Sequence, residues 1–117
     1  MSITRFRHLA PISIIIGFAL TLRLWRLNLP KGYIFDEVYY AKNAASLITD
    51  GVELNEQGAA EFVVHPPLGK WLIGIGIKLF GNNEFGWRVI AAIVGSASVL
   101  LIYLIVQRLF SSLFLSN

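Results

Sequence analysis

Two long apolar stretches bracket a more polar middle. The first runs from Leu9 to about Leu27, and the second from Val89 to Val106, closed by Gln107 and Arg108. At about 1.5 Å per residue the first covers about 28 Å, enough to cross the hydrocarbon of a bilayer. It ends Arg23-Leu24-Trp25-Arg26, the mixture of basic and aromatic side chains that anchors a helix at a membrane surface. A secretory leader is the competing reading, since Arg5 and Arg7 give a basic start to an apolar centre. No small-x-small cleavage site follows, so a retained span over 9–27 is expected. The second span is expected over 88–107. It carries Ala91 four residues before Gly95 and Ala92 four before Ser96, a spacing that lets another helix approach closely.

The middle, 28–87, holds two shorter helical patterns. Over 36–49, Val38, Ala41, Ala45 and Ile48 share one face, the periodicity of an amphipathic helix, and Asp50-Gly51 stops it. Val52 to Glu61 is polar and reads as a loop. Phe62-Val63-Val64 reads as extended, and Pro67 opens a second helix over 67–80 that Gly81-Asn82-Asn83 ends. That helix is short for a third span and suits an interfacial or re-entrant segment, with Lys70 and Lys78 snorkelling to headgroups. The expected fold is thus an all-α membrane protein, with two transmembrane helices flanking a loop that carries two interfacial helices.

Composition sharpens this picture. With 56% hydrophobic and 15% charged residues, the chain is too apolar for an ordinary soluble domain. There is no cysteine, which removes disulfides and thiolate metal sites. The net charge of +3 does not point to nucleic acid, because the basic residues are scattered without a run. Between Asn28 and Lys70, six acidic side chains face three basic ones, a net of −3. Arg5, Arg7 and Arg108 lie outside that stretch, so both termini are expected in the cytoplasm and the loop outside it. His65 has only His8 as a fellow histidine, and no ligand spacing suggests a metal. Tyr33, Tyr39, Tyr40, Trp71 and Trp87 read as an interfacial aromatic belt.

Asp36 and Glu37 are the chemically pointed pair. In a structural reading, Asp36 caps the helix by accepting backbone N–H bonds and Glu37 favours its positive end. In a catalytic reading, one carboxylate removes a proton from an incoming hydroxyl. Adjacent helical residues face different ways, so one acid acts while the other holds local structure. A single base suffices if the leaving group is a phosphate, whereas glycoside hydrolysis needs a second carboxyl group. Phosphate in turn calls for positive charge, and Arg23, Arg26 and Arg88 lie near the outer surface in this topology.

The stretches LRLWRLNLPKGYIFDEVYYAKNAASLITDG, FVVHPPLGKWLIGIGIKLFG and GWRVIAAIVG together resemble the N-terminal part of the protein O-mannosyltransferase family, bacterial type. The order Arg-x-x-Arg, Phe-Asp-Glu, His-Pro-Pro-Leu-Gly-Lys and Gly-Trp-Arg makes the match specific. The resemblance implies a polytopic enzyme of the GT-C fold. Such an enzyme moves mannose, with inversion, from polyprenyl-phosphate-mannose to serine or threonine of exported proteins, and it needs no metal or other cofactor. It implies Asp36 as catalytic base and Glu37 as its essential neighbour. Arg88 falls near the donor phosphate, and His65, Pro66, Pro67, Gly69 and Lys70 shape a substrate cleft, with Arg23 and Arg26 as further phosphate-side candidates. Lipid A aminoarabinose transferases share the architecture but resemble Lys-Pro-Pro-Leu at the second motif, which favours protein mannosylation here.

Members of that family run to several hundred residues with many spans. The expectation is therefore a fragment that carries the base and is inactive without its C-terminal helices. The alternatives are a split subunit of such an enzyme, another GT-C sugar transferase, and a small two-span interaction protein.

Overall fold

A computed structural model describes residues 3–63 and 65–114, with side chains over 11–63 and 65–110. The side chains of Arg5, Arg7 and His8, and all of Val64, lie outside the described residues. The fold is all-helical, with α1 over Ile3–Leu24, α2 over Glu37–Asp50, α3 over Leu68–Phe80 and α4 over Glu84–Phe114. Among the described residues, Glu84–Phe110 is the helix long and apolar enough to cross a membrane, and Pro11–Leu24 is a shorter apolar helix. The first helix stops at Leu24 rather than Leu27, because Arg26 takes a left-handed backbone (φ 54°) that a helix cannot carry.

The chain forms two compact units. One joins residues up to Trp25 with those from Ala92 onward. Inside it, Ile12, Ala19, Ala92 and Ser96 are buried, and Gly95 lets the Arg23 guanidinium lie against α4. A Cβ at Gly95 would sit 3.1 Å from Arg23 Nε. Gly95 of α4 thus meets Arg23 of α1 within this chain.

The other unit, Arg26–Ala91, carries the polar chemistry. Its core is Ala41 and Ala44 of α2, Ile77 of α3 and Trp87 of α4, with Ala45 and Ile73 packed around them. Alanines on α2 and glycines on α3 let the backbones approach. A Cβ at Gly74 would meet Ile48 Cγ2 at 2.6 Å, and one at Gly76 would collide with the carbonyl oxygen of Gly86. The interhelical turn is held by Asn83, whose Nδ2 donates to Phe80 O (2.9 Å) and whose Oδ1 accepts from Gly86 N (3.1 Å). Trp87 is not in an aromatic belt: it is 9% exposed, stacks on Tyr33 with centroids 4.3 Å apart, and donates from Nε1 to Asn82 Oδ1 (2.6 Å).

The polar 52–61 stretch is more ordered than a loop. Leu54 and Ala60 form an antiparallel bridge, and Asn55 Oδ1 accepts from Gln57 N and Ala59 N at the tip. Gly58 supplies the left-handed residue this tight turn needs (φ 75°). Ser46 Oγ on α2 accepts from Leu54 N (3.3 Å), which pins the hairpin to the helix.

Candidate active site

Asp36 and Glu37 stand at the start of α2 and do different things. Asp36 occupies the capping position, but its backbone is already helical (φ −70°, ψ −10°) and its side chain makes no capping hydrogen bond. A capping side chain works from an extended backbone that turns it towards the first free amides. The capping role expected of Asp36 is therefore not filled by its side chain; Glu37 instead ties the helix start to the preceding turn, its Oε2 accepting from Ile34 N (3.0 Å) and its N donating to Ile34 O (3.0 Å). The Asp36 carboxylate is left exposed.

Glu37 is also clamped by Arg88. Arg88 Nε donates to Glu37 Oε1 (2.6 Å) and Nη2 to Glu37 Oε2 (2.7 Å), a two-point guanidinium–carboxylate pair. The Arg88 hydrogen bond, reinforced by the Ile34 amide and partly opposed by burial, holds the Glu37 carboxyl below the usual glutamate range. Arg88 then spends its remaining donors on the main chain. Nη1 donates to Leu27 O (3.0 Å) and Pro30 O (3.1 Å), and Nη2 to Gly32 O (3.2 Å). A guanidinium has five N–H donors, and these five bonds use them all. Glu84 joins the same frame: its Oε1 accepts from Gly32 N (2.9 Å), and Lys31 Nζ lies 3.7 Å from Oε2.

The residue before the pair is strained. Phe35 is 88% exposed and has a left-handed backbone (φ 51°), a conformation costly for a bulky side chain. It sits on the wall of an open cleft of about 330 Å³ lined by Asp36, Glu37, Tyr40, Ile73, Trp87 and Arg88 among others. Among the described residues, the cleft therefore holds one unengaged carboxylate beside one fully engaged one.

A second cavity of about 250 Å³ lies along the same helix, and Tyr40 lines both. Its other walls are Tyr39, Phe62 and His65, and its polar lining is Asn43, Glu61 and Lys70. The His65 ring tilts against Tyr40 at 5.2 Å. Lys70 does not snorkel. It is 2% exposed and donates to Glu53 Oε2, which also accepts from Asn43 Nδ2 (2.9 Å). Charges are buried only when paired, so Glu53 explains how a lysine in the His-Pro-Pro-Leu-Gly-Lys motif comes to lie inside. Glu53 Oε1 is buried without a hydrogen-bond partner among the described residues.

A family model for dolichyl-phosphate-mannose-protein mannosyltransferase matches residues 13–83, and a second of the same description matches 64–114. The chain belongs to this mannosyltransferase family. Among curated relatives, a polyprenol-phosphate-mannose–protein mannosyltransferase of Mycobacterium tuberculosis is 47% identical over 77 residues, covering 65% of this chain and 14% of the relative. One of the same name from Mycolicibacterium smegmatis is 41% identical over 104 residues, covering 86% of this chain and 20% of the relative. An undecaprenyl phosphate-alpha-4-amino-4-deoxy-L-arabinose arabinosyl transferase of Pseudomonas savastanoi is 37% identical over 89 residues, covering 71% of this chain and 16% of the relative. The chain spans between about a seventh and a fifth of the length of these relatives. No solved structure matches.

In this member of the mannosyltransferase family, the residues marked by the motifs fall into three places. Asp36, Glu37 and Arg88 meet at one cleft. His65 and Lys70 meet at the other, next to the exposed Pro66 and half-buried Pro67 that lead into α3. Arg23 and Arg26 join neither: Arg23 Nη1 donates to Ala19 O (3.1 Å) on its own helix, and Arg26 forms the turn after α1. Glu53 and Asn43 were not singled out in the sequence, because a carboxylate in a polar stretch and an asparagine in a helix carry no local mark of burial. Tyr40, which lines both cavities, was within reach of the sequence: it stands four residues after Asp36, on the same helical face.

Among the described residues, no group of three or more His, Asp or Glu side chains is arranged to hold a metal ion.

Proposed function

We propose that this chain is the N-terminal part of a GT-C-type membrane glycosyltransferase, and that Asp36 is its general base. The reaction is inverting transfer of mannose from polyprenyl-phosphate-mannose to a serine or threonine hydroxyl of an exported protein. The observation that carries the reading is the division of labour at the start of α2. Glu37 is tied down by Arg88 and Ile34, while Asp36 is presented to the cleft with no capping bond. Both mycobacterial relatives bear the matching name, and the family model with the longer match bears a closely related one.

In this reaction the acceptor hydroxyl attacks the anomeric carbon as Asp36 takes its proton. The bond from that carbon to the phosphate oxygen breaks, and polyprenyl phosphate leaves with the electron pair. A phosphate leaves with little acid help, so one carboxylate is enough and the scheme calls for no resident metal. Glu37 and Arg88 act as positioning residues. With every Arg88 donor engaged inside the chain, charge for the donor phosphate must come from elsewhere, and Arg26 at the turn after α1 is the candidate.

In the same reading α1 and α4 cross the plasma membrane, 28–87 faces outward, and both termini are cytoplasmic. Asp36 then stands where an exported acceptor and a lipid-borne donor can both arrive. The test is Asp36→Asn in the native gene, read by lectin detection of mannose on exported proteins. A loss of about a hundredfold or more is expected for removal of a general base. Unchanged mannosylation, with the variant present at normal level in the membrane, would remove Asp36 from that role.

A further inference from the structure

The cavity beside the Asp36 cleft has a composition of its own. Tyr39, Tyr40 and Phe62 give it apolar walls, and Phe62 is largely exposed. Its charges do not balance. Lys70 is neutralised by the buried Glu53, and Lys42 nearby pairs with Glu56 (3.3 Å). Glu61, by contrast, makes no ion pair among the described residues. The mouth of the cavity therefore presents a lone carboxylate among aromatic faces. Asn43 and Lys70 on its lining are fixed by the shared Glu53 carboxylate, so the site is formed before any ligand arrives.

We propose that this cavity is an acceptor subsite that holds a basic side chain of the polypeptide, two or three residues from the hydroxyl to be modified. The proposal rests on the reading of Asp36 as the base. Lysine and arginine have an apolar stem and a cationic head, which match aromatic walls ending at a carboxylate. The spacing matches an extended peptide. From Asp36 to Tyr40 the helix rises about 6 Å and to Asn43 about 10 Å, and two or three residues of extended chain span about 7–10 Å. A peptide that lays its hydroxyl at Asp36 and crosses over Tyr40 thus reaches the cavity with the second or third residue beyond. A hexose is the competing occupant, since aromatic walls also suit sugars. A sugar hydroxyl can also donate to the Glu61 carboxylate, but a neutral sugar leaves its charge uncancelled, and the cationic head of a basic side chain neutralises it.

The experiment uses the 117-residue chain in lipid nanodiscs and fluorescent peptides with one central threonine. Arginine, alanine or glutamate is placed two residues away, and affinity is read by anisotropy. The arginine peptide is expected to bind about fivefold tighter than the glutamate peptide, the scale of one partly exposed ion pair. Glu61→Lys, on an exposed residue, is expected to reverse that order, and Phe62→Ala to weaken the arginine peptide more than the alanine peptide, which has no stem to lay on the ring. A photoreactive group in place of the arginine should cross-link within 39–43 or 61–65. An order indifferent to the sign at position 61, cross-links elsewhere, or displacement of the peptide by free mannose would each overturn the subsite. Asp36→Asn is expected to leave the order intact. If the order holds while Asp36→Asn leaves mannosylation in cells unchanged, the subsite stands and the base assignment falls.

Discussion

At the scale of single residues, the site is a contrast between two neighbouring acids. Glu37 is held by Arg88 and by the Ile34 amide, so its native carboxyl titrates below the usual glutamate range. A carboxyl depressed on folding adds stability at any pH above its unfolded value, and that contribution disappears as pH falls through the native value. Hydrogen-exchange protection in 27–37, taken relative to the intrinsic rate at each pH, is therefore expected to fall on acidification below about pH 4.3, the ordinary value for a glutamate. Glu37→Gln should abolish that acid step while leaving Asp36 in place. Arg88→Ala is a harsher change, because it orphans a carboxylate and three carbonyls together. A loss of about 2–3 kcal/mol is expected, measurable by thermal unfolding in detergent. Asp36→Asn should leave that unfolding unchanged, since no capping bond is removed. An equal loss in both variants would place Asp36 in the framework after all.

At the scale of elements, three helices meet where side chains are smallest. Gly76 faces the backbone of Gly86, and a methyl group there would run into a carbonyl oxygen rather than a movable side-chain end. Alanine raises helix propensity by up to about 1 kcal/mol, but forcing rigid backbones apart costs about 1–3 kcal/mol. Gly76→Ala is expected to lower the melting temperature, whereas Gly69→Ala, with open space around the added carbon, should not. The two short helices were legible in the sequence: apolar spacing, Asp50-Gly51 and Gly81-Asn82-Asn83 mark α2 and α3 closely, whereas α1 begins earlier, at Ile3, and α4 runs further, from Glu84 to Phe114, than the apolar stretches alone suggest. The contacts between them were not. Arg88 reaches partners 51 to 61 positions away, and no local pattern encodes that distance. The hairpin at 54–60 was missed for a related reason. Its polar residues resemble a solvated loop, and only pairing with Lys70 and Asn43 explains why Glu53 turns inward.

At the scale of the whole molecule, orientation decides whether the chemistry has its substrates. The chain has no cysteine, so single introduced thiols report position without background. Gln57→Cys is expected to react with a membrane-impermeant maleimide in intact cells, and Arg108→Cys only after permeabilisation. The opposite pattern would turn Asp36 towards the cytoplasm and away from exported proteins. Charge bias is what carries the expected orientation, while the locked and free states of the two acids needed coordinates. The burial of Trp87 has a practical consequence. Trp25 and Trp71 are exposed, whereas Trp87 lies under Tyr33 and within reach of the Arg88 frame. Its indole emission is thus shielded from aqueous quenchers, and with Trp25 and Trp71 replaced by phenylalanine it becomes an optical gauge of whether the Asp36 end of α2 is assembled.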